Sequence, residues 1–202
     1  ARMTAPYAAD PVAAKLVSFP PREQDADAAP GASPRWASTS WRDSGAGYAG
    51  GRFAMDVNAI WAPHALESTG RTLAAPGTLG FSVDSHARTV PARAADTPLG
   101  RYSRDPAALR RAVETWHGAS RHFVVRLAPA QVRARVSARL AALPADERAH
   151  WEGVLAATGA DRDSLVFLAL SLDADGRPIG VANSDPATRL LLIDGAAPAG
   201  GG

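Results

Sequence analysis

Residues 40–66 constrain this chain more than any other stretch. They read Ser-Trp-Arg-Asp-Ser-Gly-Ala-Gly-Tyr-Ala-Gly-Gly-Arg-Phe-Ala-Met-Asp-Val-Asn-Ala-Ile-Trp-Ala-Pro-His-Ala-Leu. Two acids, Asp43 and Asp56, stand on either side of a loop containing Gly45, Gly47, Gly50 and Gly51. Trp36, Trp41, Tyr48, Phe53 and Trp61 surround them, and an amphipathic helix is predicted to begin near Asn58. Carboxylates beside aromatic planes suit a carbohydrate: the apolar C–H faces of a sugar lie on indoles, and its hydroxyls need charged or amide partners once water is removed. The same residues also fit a purely structural reading, a helix capped by Asp56 or Asn58 after a loop, with the tryptophans in a core.

The order and spacing of Ser40-Trp41-Arg42-Asp43-Ser44, then Gly51-Arg52-Phe53-Ala54-Met55-Asp56-Val57-Asn58-Ala59-Ile60-Trp61, then Ala65-Leu66 resemble the glucosidase domain of glycogen-debranching enzymes. That family reads Thr-Trp-Met-Asp-Ala, a short loop, Gly-Lys-Pro-Val-Glu-Ile-Asn-Ala-Leu-Trp, and then Ala-Leu. The resemblance implies a mainly α-helical fold, part of an (α/α)6 toroid of helical hairpins. It also implies inverting hydrolysis of glucosidic bonds by two carboxylates. Asp43 falls on the family's general acid and is the catalytic candidate. Trp41, Arg52, Asp56, Asn58 and Trp61 are the substrate-binding candidates. The chain departs from the family at Arg42 (methionine there), at Phe53-Ala54 (Pro-Val) and at Asp56 (glutamate). The family's partner base lies well downstream of its first motif, and no comparable acid among aromatics follows here. The expectation is therefore a domain fragment incomplete for catalysis, completed by the remainder of the same polypeptide, with an oligosaccharide or polysaccharide as substrate. The alternative is a non-catalytic helical carbohydrate-binding or interaction domain.

Composition narrows the field around this motif. At 202 residues the chain is long enough for one continuous core, expected over residues 1–195, with a flexible Gly/Ala tail over 196–202. A formal net charge of only +2 speaks against a nucleic-acid partner, which would need clustered charge on one face; Arg133, Arg135 and Arg139 read as a solvated helix face. No apolar run reaches the ~18 residues of a membrane span, and a soluble, cytoplasmic chain is the expectation. Cysteine is absent, which excludes disulfides and thiolate metal sites. The five histidines lack metal-ligand spacing, and neither a metal nor a cofactor is expected.

Elsewhere the chain carries local signals. A helix is predicted over residues 57–73, with Pro63 either kinking it or marking a late start and Ala75-Pro76-Gly77 ending it. A short helix is predicted within 82–90. Asp105-Pro106 marks a helix start leading to about Gly118, and Phe123–Leu127 reads as extended. Helices follow from Pro129 and over Ala145–Thr158, the latter with Trp151, Val154 and Leu155 as its apolar contacts. Leu165–Leu172, Asp175-Gly176 and Ile179-Gly180-Val181 read as a short β-hairpin near residues 165–182. Asn183-Ser184-Asp185-Pro186 marks another helix start, with capping favoured over substrate contact for Asn183 and Asp185.

Overall fold

The computed structural model describes residues 1–21, 36–38, 42, 45–78, 96–159 and 162–188. Trp41 and Asp43, the helix predicted within 82–90 and the 196–202 tail lie outside the described residues. The described chain is mainly helical, with two small two-stranded antiparallel sheets. It forms two compact units, residues 1–123 with 169–202, and residues 124–168.

In the first unit, α1 (Ala5–Ala9) precedes a short 3-10 turn, Ala13–Lys15, and an irregular run to Phe19. Residues Asp56–Trp61 form a π-helical turn that continues directly into α2 (Ala62–Thr78). Pro63 thus sits at the junction of the π-helical turn and α2, inside a continuous helical run to which it donates no backbone hydrogen bond. The helix also runs past the predicted stop, with Pro76 inside its last turn. Next come α3 (Pro98–Arg104) and α4 (Pro106–His117). Each begins as its sequence dictates: Thr97 Oγ1 accepts from Gly100 N at 3.2 Å, Asp105 Oδ1 accepts from Ala108 N at 2.9 Å, and a proline follows both caps.

The packing centre of these helices is Trp116 on α4. Trp116 and Tyr7 are fully buried with ring centroids 4.6 Å apart, and the indole N–H donates to Thr4 O at 2.9 Å. Ala112 and Leu109, one and two turns earlier on α4, are buried as well. His122 packs edge-on against Tyr7, its Nε2 3.0 Å from the Tyr7 hydroxyl. Burial and the neighbouring Arg121 hold the His122 imidazole below its ordinary value of 6.5. The fold therefore favours the neutral ring, and the unfolded chain takes up the proton first as pH falls. Unfolding free energy is expected to decline as pH drops below about 6.5, until the folded ring also titrates. Urea melts across pH 5–8 check this, and His122→Asn should flatten the slope.

A small strand layer lies beside the helices. Strand β1 (Phe53–Ala54) pairs antiparallel with β4 (Ser171–Leu172), in the register Phe53↔Leu172 and Ala54↔Ser171. Phe19 N donates to Arg52 O at 2.8 Å on one side of β1. On the other side of β4 the chain returns through bridges Leu172↔Pro178 and Ala169↔Ala182. The turn of this hairpin is the one predicted at Asp175-Gly176. Asp173 Oδ1 accepts from the N–H groups of Asp175 and Arg177 at 2.9 and 2.8 Å, and Gly176 takes φ +79°. The predicted strand Leu165–Leu172 is divided: its first half pairs elsewhere.

The second unit consists of β2 (Val124–Leu127), α5 (Pro129–Ala141), α6 (Ala145–Thr158) and β3 (Leu165–Leu168), with β2 and β3 antiparallel from Val124↔Leu168 to Leu127↔Leu165. Arg148 caps the end of α5 by donating to Leu140 O and Leu143 O at 3.2 and 3.1 Å. Gly159 at φ +62° closes α6. Among the described residues, Leu127 and Val132 are its buried hydrophobic side chains. Trp151 and Val154 are 49% and 37% exposed, which corrects the expectation that they form the apolar contact of α6.

Candidate functional site

The motif stretch folds into a tight, polar-cored knot at the head of α2. A 3-10 turn, Gly45–Tyr48, leads into a reverse turn in which Gly51 N donates to Tyr48 O at 2.9 Å, with Ala49 and Gly50 both at positive φ (+53° and +72°). Gly51 then passes against Ser171 so closely that a Cβ would lie 2.2 Å from the Ser171 Oγ. No larger residue fits there. The Ser171 hydroxyl, fully buried, donates back to Tyr48 O at 2.6 Å and locks the turn to β4.

This geometry drives Tyr48 inward, where it packs with Phe19, Ala54 and Leu170. The Tyr48 hydroxyl donates to Asp56 Oδ2 at 2.9 Å, and Asp56 is 1% exposed. The structure gives Asp56 this phenol contact where capping of the helix is the structural expectation. Asp56 lies inside the π-helical turn, whose preceding residue, Met55, is already helical, so it is not at an N-cap. Asn58 is fully buried. Its Nδ2 donates to Val17 O and Ala54 O at 2.9 and 2.8 Å, and its Oδ1 accepts from Val17 N at 2.7 Å. The amide thus meets Val17 as a neighbouring strand would, bridging 41 residues of sequence. All of these Asn58 contacts are internal, which places it in the scaffold of the motif.

Arg52 lies with its guanidinium carbon 4.7 Å from the Trp36 ring centroid and 5.1 Å from that of Phe53, a cation between two aromatic faces. Trp61, at the end of the π-helical turn, is 44% exposed and is the most open of the motif's aromatics among the described residues. Trp41 and Asp43 themselves are not among the described residues, but the residue between them is. Arg42 Nη2 donates to Asp185 Oδ1 at 2.7 Å, and its guanidinium carbon stands 5.9 Å from the Tyr48 ring centroid. Asp185 is 4% exposed, with its own N–H donating to Asn183 Oδ1 at 2.8 Å. The hydrogen bond to Asp185, with the nearby Asp56 and Tyr48, holds the Arg42 guanidinium above its ordinary range despite partial burial.

The structure therefore gathers Arg42, Tyr48, Asp56 and Asp185 into one buried polar cluster, with Arg52, Asn58 and Trp61 around it on the same segment. Sequence reading took Asp185 mainly for a cap. In the structure Asn183 supplies the cap-like contact, and the Asp185 carboxylate reaches Arg42. The stretch Asn183-Ser184-Asp185-Pro186, with its single acid, is the one signal that could point to it. Among the described residues, no group of three His, Cys, Asp or Glu side chains is arranged to hold a metal ion, and no helix is long and apolar enough to cross a membrane. Comparison with protein families, with characterised proteins and with solved structures returns no match to this chain.

Proposed function

We propose that this chain is the acid-bearing part of a glycoside hydrolase of the six-hairpin (α/α)6 kind, an inverting glucosidase of the debranching type. One observation supports the reading beyond the sequence resemblance. The motif segment concentrates what a fold ordinarily avoids: two buried carboxylates, a guanidinium, a fully buried amide and a π-helical turn. Buried charges cost stability unless closely paired, π-helical turns recur at functional positions, and departures from local folding rules gather at sites of function. In this reading Asp43 is the general acid. It gives its proton to the glycosidic oxygen as the bond to the anomeric carbon breaks, while a base on the opposite face, about 6.5–9.5 Å away, takes a proton from the attacking water. That base comes from the remainder of the polypeptide. Trp61 and Trp41 supply aromatic faces for the sugar, and Arg52 a cation at the rim. Tyr48, Asp56 and Asn58 hold the segment in shape.

The test is binding and turnover measured together. The 202-residue chain is expected to bind maltooligosaccharides weakly by calorimetry and to release no glucose, since the acid alone contributes about 10²–10⁴-fold and inversion needs the base. Asp43→Asn should leave that binding nearly unchanged; in a longer polypeptide that supplies the base it should abolish turnover. Absence of binding removes the glycosidase reading. Full activity of the longer Asp43→Asn chain removes Asp43 from the chemistry. The exposed Trp61 also suits the non-catalytic alternative, a carbohydrate-binding domain, which predicts binding but no turnover in any longer polypeptide.

A further inference from the structure

Residues 124–168 do not cover their own apolar side chains. Leu127 and Val132 are the buried hydrophobics of this unit among the described residues, while Trp151, Val154, Leu165 and Val166 stand exposed. Helix α6 is the clearest case: it is 14 residues long and buries none of them. Helices in proteins hold their shape mainly by packing an apolar face, and folding units shrinking toward about 40 residues come to need a disulfide, a metal or a second chain. Cysteine is absent, so no disulfide braces this one.

Helices α5 and α6 form a hairpin through the short turn 142–144. A groove of about 470 Å³ runs between them, with Val136, Leu140 and Leu155 as apolar lining and Arg133 and Glu152 as charges along it. Trp151, Val154 and Leu155 recur at three- and four-residue spacing, so the open indole borders the groove on the same helix. The two helices carry opposite charge. α5 holds Arg133, Arg135 and Arg139 and no acid. α6 holds Asp146, Glu147 and Glu152, and its Arg148 is turned to the carbonyls of Leu140 and Leu143. What fits such a face is a helical hairpin of reversed charge order with an apolar centre. A second copy turned by half a rotation presents one: its acidic α6 lies on α5 and its basic α5 on α6, the same contact made twice.

We propose that the α5–α6 hairpin is a self-association surface: two copies of the chain pair through it about a two-fold axis into a four-helix bundle. Val136, Leu140, Trp151 and Leu155 of both copies form its core, as facing helices of a bundle do. The surface belongs to the second unit and is independent of the glycosidase reading, which rests on the first.

Sedimentation velocity of the chain at up to about 100 µM, well above the micromolar end of affinities for interfaces of standard size, should show twice the monomer mass. Tryptophan anchors dominate such interfaces, so Trp151→Glu should weaken association by about thirtyfold or more. Helix content by far-UV circular dichroism should persist in that variant, because the side chain is half exposed in the single chain. Arg133→Glu and Glu152→Arg should each weaken self-association roughly tenfold, since each sets like charges against one another across the axis. An equimolar mixture of these two variants restores both opposite-charge pairs and should associate like the parent. A chain that stays monomeric leaves the face to another polypeptide and overturns the proposal. A dimer that Trp151→Glu does not weaken is built elsewhere and overturns it too. Should Trp151→Glu lose its helix content, the charge variants decide: a mixture that associates no more tightly than either variant alone overturns the proposal.

Discussion

Asn58→Leu is expected to lower the unfolding free energy by about 3–5 kcal/mol, from three lost hydrogen bonds at ~1 kcal/mol each and the desolvation penalty of the groups they leave behind. The side chains share a branching pattern and leucine is the larger, so the effect comes from lost polarity and not from a cavity. Leucine leaves the Val17 N–H without its 2.7 Å acceptor and takes the amide donor from Val17 O and Ala54 O, in a place with no solvent access. For a domain of typical stability, about 5–15 kcal/mol, such a loss leaves little in reserve. Asn58→Asp separates the contributions. The new carboxyl still accepts from Val17 N–H, but when ionised it faces two carbonyl oxygens, so the fold binds it protonated and its folded-state pKa is raised. Its penalty should therefore be smallest below the ordinary aspartate range and grow as pH rises. Urea melts of both variants at pH 4 and pH 7 check this. A loss under ~1 kcal/mol for Asn58→Leu would show that the Val17 contact does not hold the motif. Because Asn58 meets only protein, any loss of sugar binding in these variants should track unfolding.

The contrast between Asn58 and Asp105 explains what the sequence made legible. Asp105 caps a helix whose N–H lies three residues on, followed by proline, and both the start and the end of α4 were readable from that short range. The hairpin turn at Asp173–Arg177 was readable for the same reason: its hydrogen bonds span two to four residues. Asn58 looks like a helix-start residue or a ligand contact until its partner is known, and that partner is 41 residues upstream. Asp185 is the extreme case, reaching Arg42 across 143 residues. Nothing periodic or compositional encodes such a pairing.

The backbone of the motif was illegible for a different reason. The apolar spacing from Val57 onward fits a helix, and a helix forms, but its first six residues are wound as a π-turn. A change from four- to five-residue hydrogen bonding alters no residue type, yet it rotates the buried face, so that Asp56 and Asn58 are buried and Trp61 is open. Gly51 reads from sequence as a loop glycine, suited to a turn or to close passage past a ligand; its real constraint is the approach of Ser171 from a strand 120 residues later. The divided strand 165–172 follows the same logic. Its apolar run called for burial, but which neighbour each half would take, β2 for Leu165–Leu168 and β1 for Ser171–Leu172, depended on topology alone.

Trp116→Ala should be the most damaging single truncation in the first unit, costing about 3–5 kcal/mol. Trp116 heads the fully buried side chains by size. Its removal opens a cavity between α4 and α1, ends the 4.6 Å contact with Tyr7 and leaves Thr4 O without the indole donor. Thr4 O also accepts from Ala8 N at 3.2 Å, so the hydrogen-bond part of the loss is modest and the cavity dominates. Trp116→Phe separates the two. It retains a ring against Tyr7 but not the N–H, and should cost markedly less than the alanine variant. The consequences also extend to pH. With Tyr7 released, His122 loses the packing that keeps it dry and neutral, so the stability of Trp116→Ala should fall less steeply with declining pH than that of the parent. Equilibrium urea melts followed by far-UV circular dichroism at pH 7.5 and pH 5.5 measure both effects. A loss below ~1 kcal/mol on truncation to alanine would mean that α1 is not packed on α4 through this residue. An unchanged pH slope would mean that His122 is buried independently of it.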